Sequence, residues 1–382
     1  RFMIRTIRNG MIAALLIAGI FGLSGCSRNS SAAEQELPLV YEDSLRLQYA
    51  ENFSIDYYAG GYSMITTKRD GSRFLIVPEQ AETPEGVEED IVILKQPIQD
   101  IYLVASAVMD MFCQLDGLDA ISFSGQKQEN WYIKDAKNAM AEGRLRYAGK
   151  YNRPDYEQLV SRGCRLAIEN GMIAHAPEVV EKLEDFGIPV LMEASSYEAH
   201  PLGRVEWIKL FGALLGKEEA AERIFQEQAD ILNRISEDQP SEKTVAFFFV
   251  SSNGMVQVRQ SSDYIPRMIE LAGGRYVFEN LGDPESRKAT MNMQAEEFYH
   301  KARNADFLIY NSSIDGGIST MKELLDKCEF LEDFQAVKEG NVWCTSNDMY
   351  QQSLSIGYLM EDMHRMLQGD DTSPMHYLFE VQ

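Results

Sequence analysis

Two sets of short apolar runs flank a single long helical region over residues 203–236, and this order constrains the fold more than any other feature. In the first set, residues 101–104, 120–123, 166–168 and 188–192 are continuous apolar stretches of strand length. In the second, residues 245–250, 306–310 and 342–345 repeat the pattern. Such runs suit strands buried on both faces of a parallel sheet. Helices are predicted between them. One covers residues 106–115, with Ser106 as N-cap and Gly117 just past its end; another covers 264–271, stopped by Gly273 and Gly274; a closing helix covers 354–367. In the central region Trp207, Ile208, Phe211, Leu214 and Leu215 share a face. After Gly216 and Lys217, the stripe continues through Ala221, Ile224, Phe225, Ile231, Leu232 and Ile235. A slight break at Gly216 leaves an almost unbroken helical region of about 50 Å. The predicted fold class is therefore α/β: two lobes with mostly parallel sheets, joined by a long helix, with a ligand cleft between them. The N-terminal lobe is expected over residues 38–216, the linking helix over 217–240 and the C-terminal lobe over 241–382. No period repeats at solenoid spacing.

The first 25 residues have a different character. Arg1, Arg5 and Arg8 form a basic head, residues 11–21 form a short apolar core, and Leu23, Ser24, Gly25 and Cys26 close it. This is the pattern of a secretory signal peptide over residues 1–25. It resembles the lipobox of bacterial lipoproteins, which implies that Cys26 takes the lipid and becomes the new N-terminus. A transmembrane anchor is the competing reading, but the run is short for a bilayer. Residues 26–37 are small and polar and read as a lipidated tether. Alternation over residues 39–77 predicts a β ribbon, and residues 79–90, with Pro84 and Gly86, an acidic loop. The expected location is extracytoplasmic, held to the cell membrane by the lipid alone. ATP, NADH and DNA are absent there.

Composition narrows the function further. Removing 25 of the 382 residues leaves 357, enough for two domains. The formal charge of −23 falls to about −26 once the three signal arginines are removed. Such a surface repels phosphate backbones and anionic lipid headgroups, so neither nucleic acid nor a basic membrane patch is expected. Besides Cys26, the cysteines are Cys113, Cys164, Cys328 and Cys344, none in a C-x-x-C pair. Cys113 and Cys344 sit in apolar patterns and read as free buried thiols. There is no P-loop, no G-x-S-x-G, no H-E-x-x-H and no G-x-G-x-x-G after a strand, so no cofactor and no catalytic residue is assigned.

Several local pieces carry a family resemblance: residues 149–157, 187–191, 207–222, 269–274 and 294–298 ahead of 305–309. Together, in this order, they are similar to the substrate-binding proteins of ABC importers for iron–siderophore complexes, cobalamin and haem. The resemblance covers residues 98–367. It implies two α/β lobes joined by one rigid helix, with the ligand between them, and one glutamate per lobe docking on permease arginines. Glu157 matches the first docking position and Glu296, beside Glu297, the second. Without the resemblance, both read as ordinary acids at helix N-termini. The ribbon before residue 98 and the segment 126–146, which contains Trp131 and Tyr132, depart from the family pattern as additions able to line or cover the cleft.

Tyr151 matches a position where the family places a cleft aromatic, suited to a corrin, a porphyrin or a catecholate. Trp131, Tyr132, Tyr264 and Tyr350 are further aromatic candidates, each of which taken singly reads better as core or rim; Tyr350 is kept among the ligand-binding candidates. His175 and His200 follow predicted strands, where α/β folds bind ligands, and could ligate haem iron or a bare divalent metal. Arg204 and Arg259 could pair with a carboxylate or catecholate. The expected function is a monomeric solute-binding lipoprotein that captures an iron–siderophore or related metal complex and delivers it to an ABC permease. The alternatives are cobalamin, haem or a bare metal ion as ligand, or a secreted two-lobe hydrolase.

Overall fold

Alternating apolar residues in the ribbon segment pack on both faces of a sheet rather than a simple ribbon. The computed structural model describes residues 38–283, 288–314, 317–369 and 374–382. The expected signal peptide 1–25, Cys26 and the tether 26–37 lie outside the described residues. Strands β1 (Tyr41–Ser44), β2 (Phe53–Tyr58), β3 (Tyr62–Thr67), β4 (Arg73–Val77) and β5 (Ile91–Lys95) form a five-stranded sheet in sequence order. The pairing is antiparallel up to β4, and β5 then lies parallel to β4. The acidic loop 79–90 is thus the crossover between two parallel strands. Arg73 holds it through Glu88 at 2.6 Å and Asp90 at 2.7 Å. Phe53, Ile55, Ile65, Phe74 and Ile76 face the main core, while Met64, Leu75, Val77 and Ile91 form a small cluster under the loop.

A second five-stranded sheet follows. Its elements are β6 (Ile101–Leu103), α1 (Met109–Gln114), β7 (Ile121–Ser124), α2 (Lys134–Ala141), β8 (Arg146–Tyr147), a two-strand hairpin of β9 (Gly149–Lys150) and β10 (Arg153–Pro154), α3 (Tyr156–Ser161), β11 (Leu166–Glu169), α4 (Pro177–Asp185) and β12 (Val190–Met192). The sheet order is β12-β11-β6-β7-β8, parallel throughout. Three expectations change here. Ser106 does not cap α1: a 3₁₀ turn at Ser106–Val108 precedes that helix, and neither cap position makes a side-chain hydrogen bond. The left-handed residue after α1 is Asp116, at φ 50°, rather than Gly117, at φ −109°. The segment 126–146 is no added flap, since α2 is the crossover that carries the chain from β7 to the parallel β8. Trp131 is accordingly core, with its Nε1 donating to Ser124 Oγ at 3.3 Å.

The long helical region is three helices: α5 (Pro201–Glu206), α6 (Ile208–Leu215) and α7 (Glu218–Ile235). Gly216 adopts φ 68° and ends α6 in the left-handed conformation. A Cβ on Gly212 would lie 2.6 Å from Ala221 Cβ, an approach impossible within one straight helix, so α7 packs back against α6. The 50 Å rod is thereby replaced by α7 alone, 18 residues and about 27 Å long. Ala221, Phe225, Ala229, Leu232 and Ile235 form its buried stripe.

The C-terminal lobe comprises β13 (Thr244–Val250), β14 (Val256–Arg259), α8 (Tyr264–Leu271), β15 (Arg275–Tyr276), β16 (Thr290–Met293), α9 (Ala295–Ala302), β17 (Phe307–Tyr310), α10 (Met321–Lys327), α11 (Gln335–Glu339), β18 (Val342–Thr345), α12 (Ile356–Gln368) and β19 (Leu378–Glu380). Strands β15, β13, β17 and β18 are mutually parallel, whereas β14, β16 and β19 join antiparallel, so this sheet is mixed. Helix α12 packs on α7 where Gly357 N donates to Gln228 Oε1 at 3.0 Å. Among the described residues, Cys113, Cys164, Cys328 and Cys344 form no disulfide; the first is half-buried and the others are buried. No helix among the described residues is long and apolar enough to cross a membrane.

Candidate functional site

The carboxyl ends of the parallel strands open on a cleft of about 620 Å³ between the lobes. From the N-terminal lobe it takes Ala107 after β6 and residues 195–199 after β12; from the C-terminal lobe it takes Arg259, Asp263, Tyr264, Met349 and Tyr350. Parallel α/β sheets place ligands at this edge because loops there diverge and helix N-termini point inward.

Charge distinguishes the cleft from the rest of the molecule. Among the described residues, Arg69, Arg204, Arg259 and Lys288 line it, against the acids Glu198 and Asp263. Both acids are engaged. Asp263 pairs with Arg259 at 3.3 Å and caps α8 by accepting from Ile265 N at 3.2 Å. Glu198 accepts from Glu51 N at 2.8 Å, Asn52 N at 3.0 Å and Trp207 Nε1 at 2.8 Å. The cleft is therefore cationic in a chain of formal charge −23.

Arg204 and Arg259 are positioned by aromatic partners. The Arg204 guanidinium lies 3.8 Å from the centre of the Tyr264 ring and donates through Nη2 to Ser196 O at 2.7 Å. Its Nε is buried without a hydrogen-bond partner among the described residues. Such a donor costs about 1–3 kcal/mol until an acceptor arrives. Arg259 is buried, hydrogen-bonds the Tyr350 hydroxyl and stands 5.4 Å from that ring. Burial opposes its charge, but Tyr350 and Asp263 outweigh burial and hold the guanidinium protonated. Asn311 Nδ2 donates to the same hydroxyl at 2.8 Å, so Tyr350 is fixed from both sides. Burial raises the pKa of both Tyr264 and Tyr350, which keeps them neutral.

A second cavity of about 670 Å³ adjoins the first along Ser106 and Ala107. It is lined from the N-terminal lobe, by loops after β6, β7, β8 and β11, and holds Lys127, Tyr147, Lys150, Tyr151 and Asn170. Arg204, Arg259 and Tyr350 thus meet in one cleft, and Tyr151 lines its neighbour. His175 is exposed at the end of a 3₁₀ turn and lines neither cavity. His200 also lines neither; its Nδ1 caps α5 by accepting from Leu202 N at 3.1 Å, and its ring stacks on Tyr49 at 4.3 Å. Burial lowers the pKa of His200, consistent with that acceptor role. Glu157 and Glu296 are exposed in the first turns of α3 and α9, one helix in each lobe. Neighbouring Glu297 pairs instead with Lys301 at 2.7 Å.

Sequence reasoning missed Arg69, Lys288 and Asp263. Asp263 carried a usable signal, an acid immediately before a predicted helix. Arg69 and Lys288 carried none, since each is a cation in a polar stretch. Also unforeseen is Glu169 at the end of β11, fully buried with neither carboxylate oxygen hydrogen-bonded among the described residues. Burial pushes its pKa to about 8.

Comparison with known proteins bears on this arrangement. The chain is 25% identical over 364 residues to an uncharacterized lipoprotein of Methanocaldococcus jannaschii, a match covering 87% of this chain and 86% of that one. Among solved structures, a periplasmic binding protein from Veillonella parvula superposes with a TM-score of 0.58 at 20% identity, covering 76% of this chain and 98% of that one. The periplasmic heme binding protein HutB of Vibrio cholerae superposes with a TM-score of 0.56 at 15% identity, covering 69% of this chain and 98% of that one. These structural likenesses establish the two-lobed fold. The model of the family described as periplasmic binding protein matches residues 130–348, more than half of the chain, and the protein belongs to that family.

Proposed function

We propose that the protein is an exported, lipid-anchored solute-binding protein that captures an anionic metal chelate in the interlobe cleft and presents it to an ABC permease. The cationic lining of the cleft carries this reading. Four cationic side chains against two acids, one of which pairs with Arg259, leave the described lining net positive, which favours a ligand bearing carboxylates or catecholates over a bare metal cation. An iron–siderophore complex fits this chemistry, and so does haem through its propionates. Tyr151, Tyr264 and Tyr350 supply aromatic surface for the ligand's rings. The lobes are taken as residues 38–216 and 241–382 with the link at 217–240, and a monomer is sufficient because one chain forms both walls of the cleft. Cys26 is the proposed lipid attachment site.

Glu157 and Glu296 are the proposed permease contacts, since exposed carboxylates on separate lobes can report distance and orientation to two arginine sites. Native mass spectrometry against ferric catecholate and carboxylate complexes, haem and cobalamin tests the ligand class. Retention of an anionic complex is expected, and retention of cobalamin alone contradicts the reading. Charge reversal of both glutamates is expected to reduce uptake by the reconstituted transporter without changing ligand affinity. Normal uptake removes the docking assignment.

A further inference from the structure

The N-terminal sheet lies outside the matched family residues 130–348, yet it reaches the ligand cleft. It does so through Arg69, in the turn between β3 and β4. That turn is tightly built. Thr67 Oγ1 donates to Asp70 Oδ1 at 2.6 Å, Ser72 Oγ donates to Asp70 Oδ2 at 2.9 Å, and Gly71 N donates to Thr67 O at 2.9 Å. Gly71 supplies the left-handed residue at φ 76°. The Arg69 guanidinium is set 3.8 Å from the centre of the Tyr197 ring, and Tyr197 is itself a cleft residue. No carboxylate among the described residues pairs with Arg69, and the acid beside it, Asp70, is occupied by Thr67 and Ser72.

The sheet is also fastened to the cleft wall rather than merely resting on it. The segment leading into β2 donates five backbone N–H groups to two buried glutamates of the N-terminal lobe. Gln48, Tyr49 and Ala50 donate to Glu206, and Glu51 and Asn52 donate to Glu198. Glu206 is on α5, which also carries Arg204 into the cleft, and Glu198 lines the cleft itself. Arg69 and Arg204 are therefore held on one framework.

We propose that Arg69 is a ligand-specificity residue: the N-terminal sheet supplies the cleft with a pre-stacked, unpaired guanidinium that binds an anionic oxygen pair of the ligand. Stacking on Tyr197 fixes the plane of the fork, which leaves its N–H edges for bidentate hydrogen bonds to a carboxylate or catecholate. The sheet is then part of the binding site, and proteins with the same two lobes but lacking it would hold the same chelate less tightly. This inference rests on the anionic-chelate reading above.

The test titrates the full chain with two iron probes, a ferric tris-catecholate carrying three negative charges and a neutral ferric trihydroxamate. Arg69→Ala is expected to weaken the tris-catecholate by roughly ten- to a hundredfold and the neutral probe by less than about twofold. Arg69→Lys keeps the charge without the fork and is expected to recover only part of the loss. Arg165→Ala, an exposed arginine on the surface, controls for net charge and is expected to bind like wild type. Arg69→Gln keeps length and polarity, and its thermal midpoint checks that the turn still folds. If Arg69→Ala binds the tris-catecholate like wild type while Arg204→Ala loses it, the role of Arg69 is overturned and the anionic-chelate reading stands. If wild type binds no anionic complex, that reading fails and the role of Arg69 fails with it.

Discussion

Arg204 of α5 rests its guanidinium 3.8 Å from the centre of the Tyr264 ring of α8, so a cation from one side of the cleft stacks on an aromatic from the other. The contact bridges the lobes where the proposed ligand binds. A partly desolvated pair of this kind contributes about 1–2 kcal/mol. Arg204→Ala removes the cation and is expected to weaken binding of an anionic chelate by about 1–3 kcal/mol. Tyr264→Phe keeps the stacking face and is expected to bind within a few-fold of wild type. Calorimetric titration of the two variants separates ring from charge.

Glu206 is fully buried and accepts from three consecutive backbone N–H groups while Lys209 Nζ stands 3.2 Å away. Glu206→Ala leaves those three donors without an acceptor and leaves the buried Lys209 to Glu222 alone, at 2.9 Å. The expected loss is about 3–5 kcal/mol in urea denaturation, with faster proteolysis of the N-terminal sheet. Unchanged stability would show that the sheet is held by its apolar face alone.

Glu169 makes stability depend on pH. Burial raises its pKa to about 8, so between the unfolded carboxylate value and about pH 8 the folded protein holds a proton that the unfolded chain has released. Stability from this group is full at low pH and falls as pH rises through that window, by about 1.4 kcal/mol per unit at most. Glu169→Gln is expected to flatten the slope and to be more stable than wild type at pH 8. Denaturation midpoints at pH 5 and pH 8 check this, and an unchanged slope contradicts it.

Among the described residues, two hydrogen-bond sets join the lobes besides α7. Gln351 Nε2 donates to Asn130 O at 2.7 Å while its Oε1 accepts from Tyr132 N at 2.7 Å, and Asp110 Oδ2 accepts from Leu354 N at 3.1 Å. Lobe movement on ligand binding is therefore expected to be small, because a packed helix and these bonds resist bending. Small-angle scattering is expected to give nearly equal radii of gyration with and without ligand. Gln351→Ala is expected to widen the unliganded distribution. A large change in the wild type contradicts the expectation.

The parts of the fold legible in the sequence are those where burial leaves a local trace. The run at 245–250 is apolar because β13 is central in its sheet, and the alternation at 53–58 reflects a strand packed mainly on one side. Strand β16 left little trace, since three of its four residues are not buried. The helical region 203–236 was over-extended because its apolar stripe keeps phase across Gly216, whereas the reversal there is a backbone conformation that apolar spacing does not report. In the site, Arg204, Arg259 and Tyr350 were nameable as residue types suited to an anionic ligand. The convergence of Arg69 from the first sheet depends on the clamps at Glu198 and Glu206, and composition alone does not say which acids accept from backbone.

The central claim is that charge selects the ligand in this cleft. The most direct test is the affinity of the wild-type protein for the ferric tris-catecholate and the neutral ferric trihydroxamate, measured by titration calorimetry at low and high salt. A clear preference for the trianion that shrinks as salt rises is expected, because cationic side chains supply the selectivity. Equal affinity for both probes, or preference for the neutral one at every salt concentration, would contradict it.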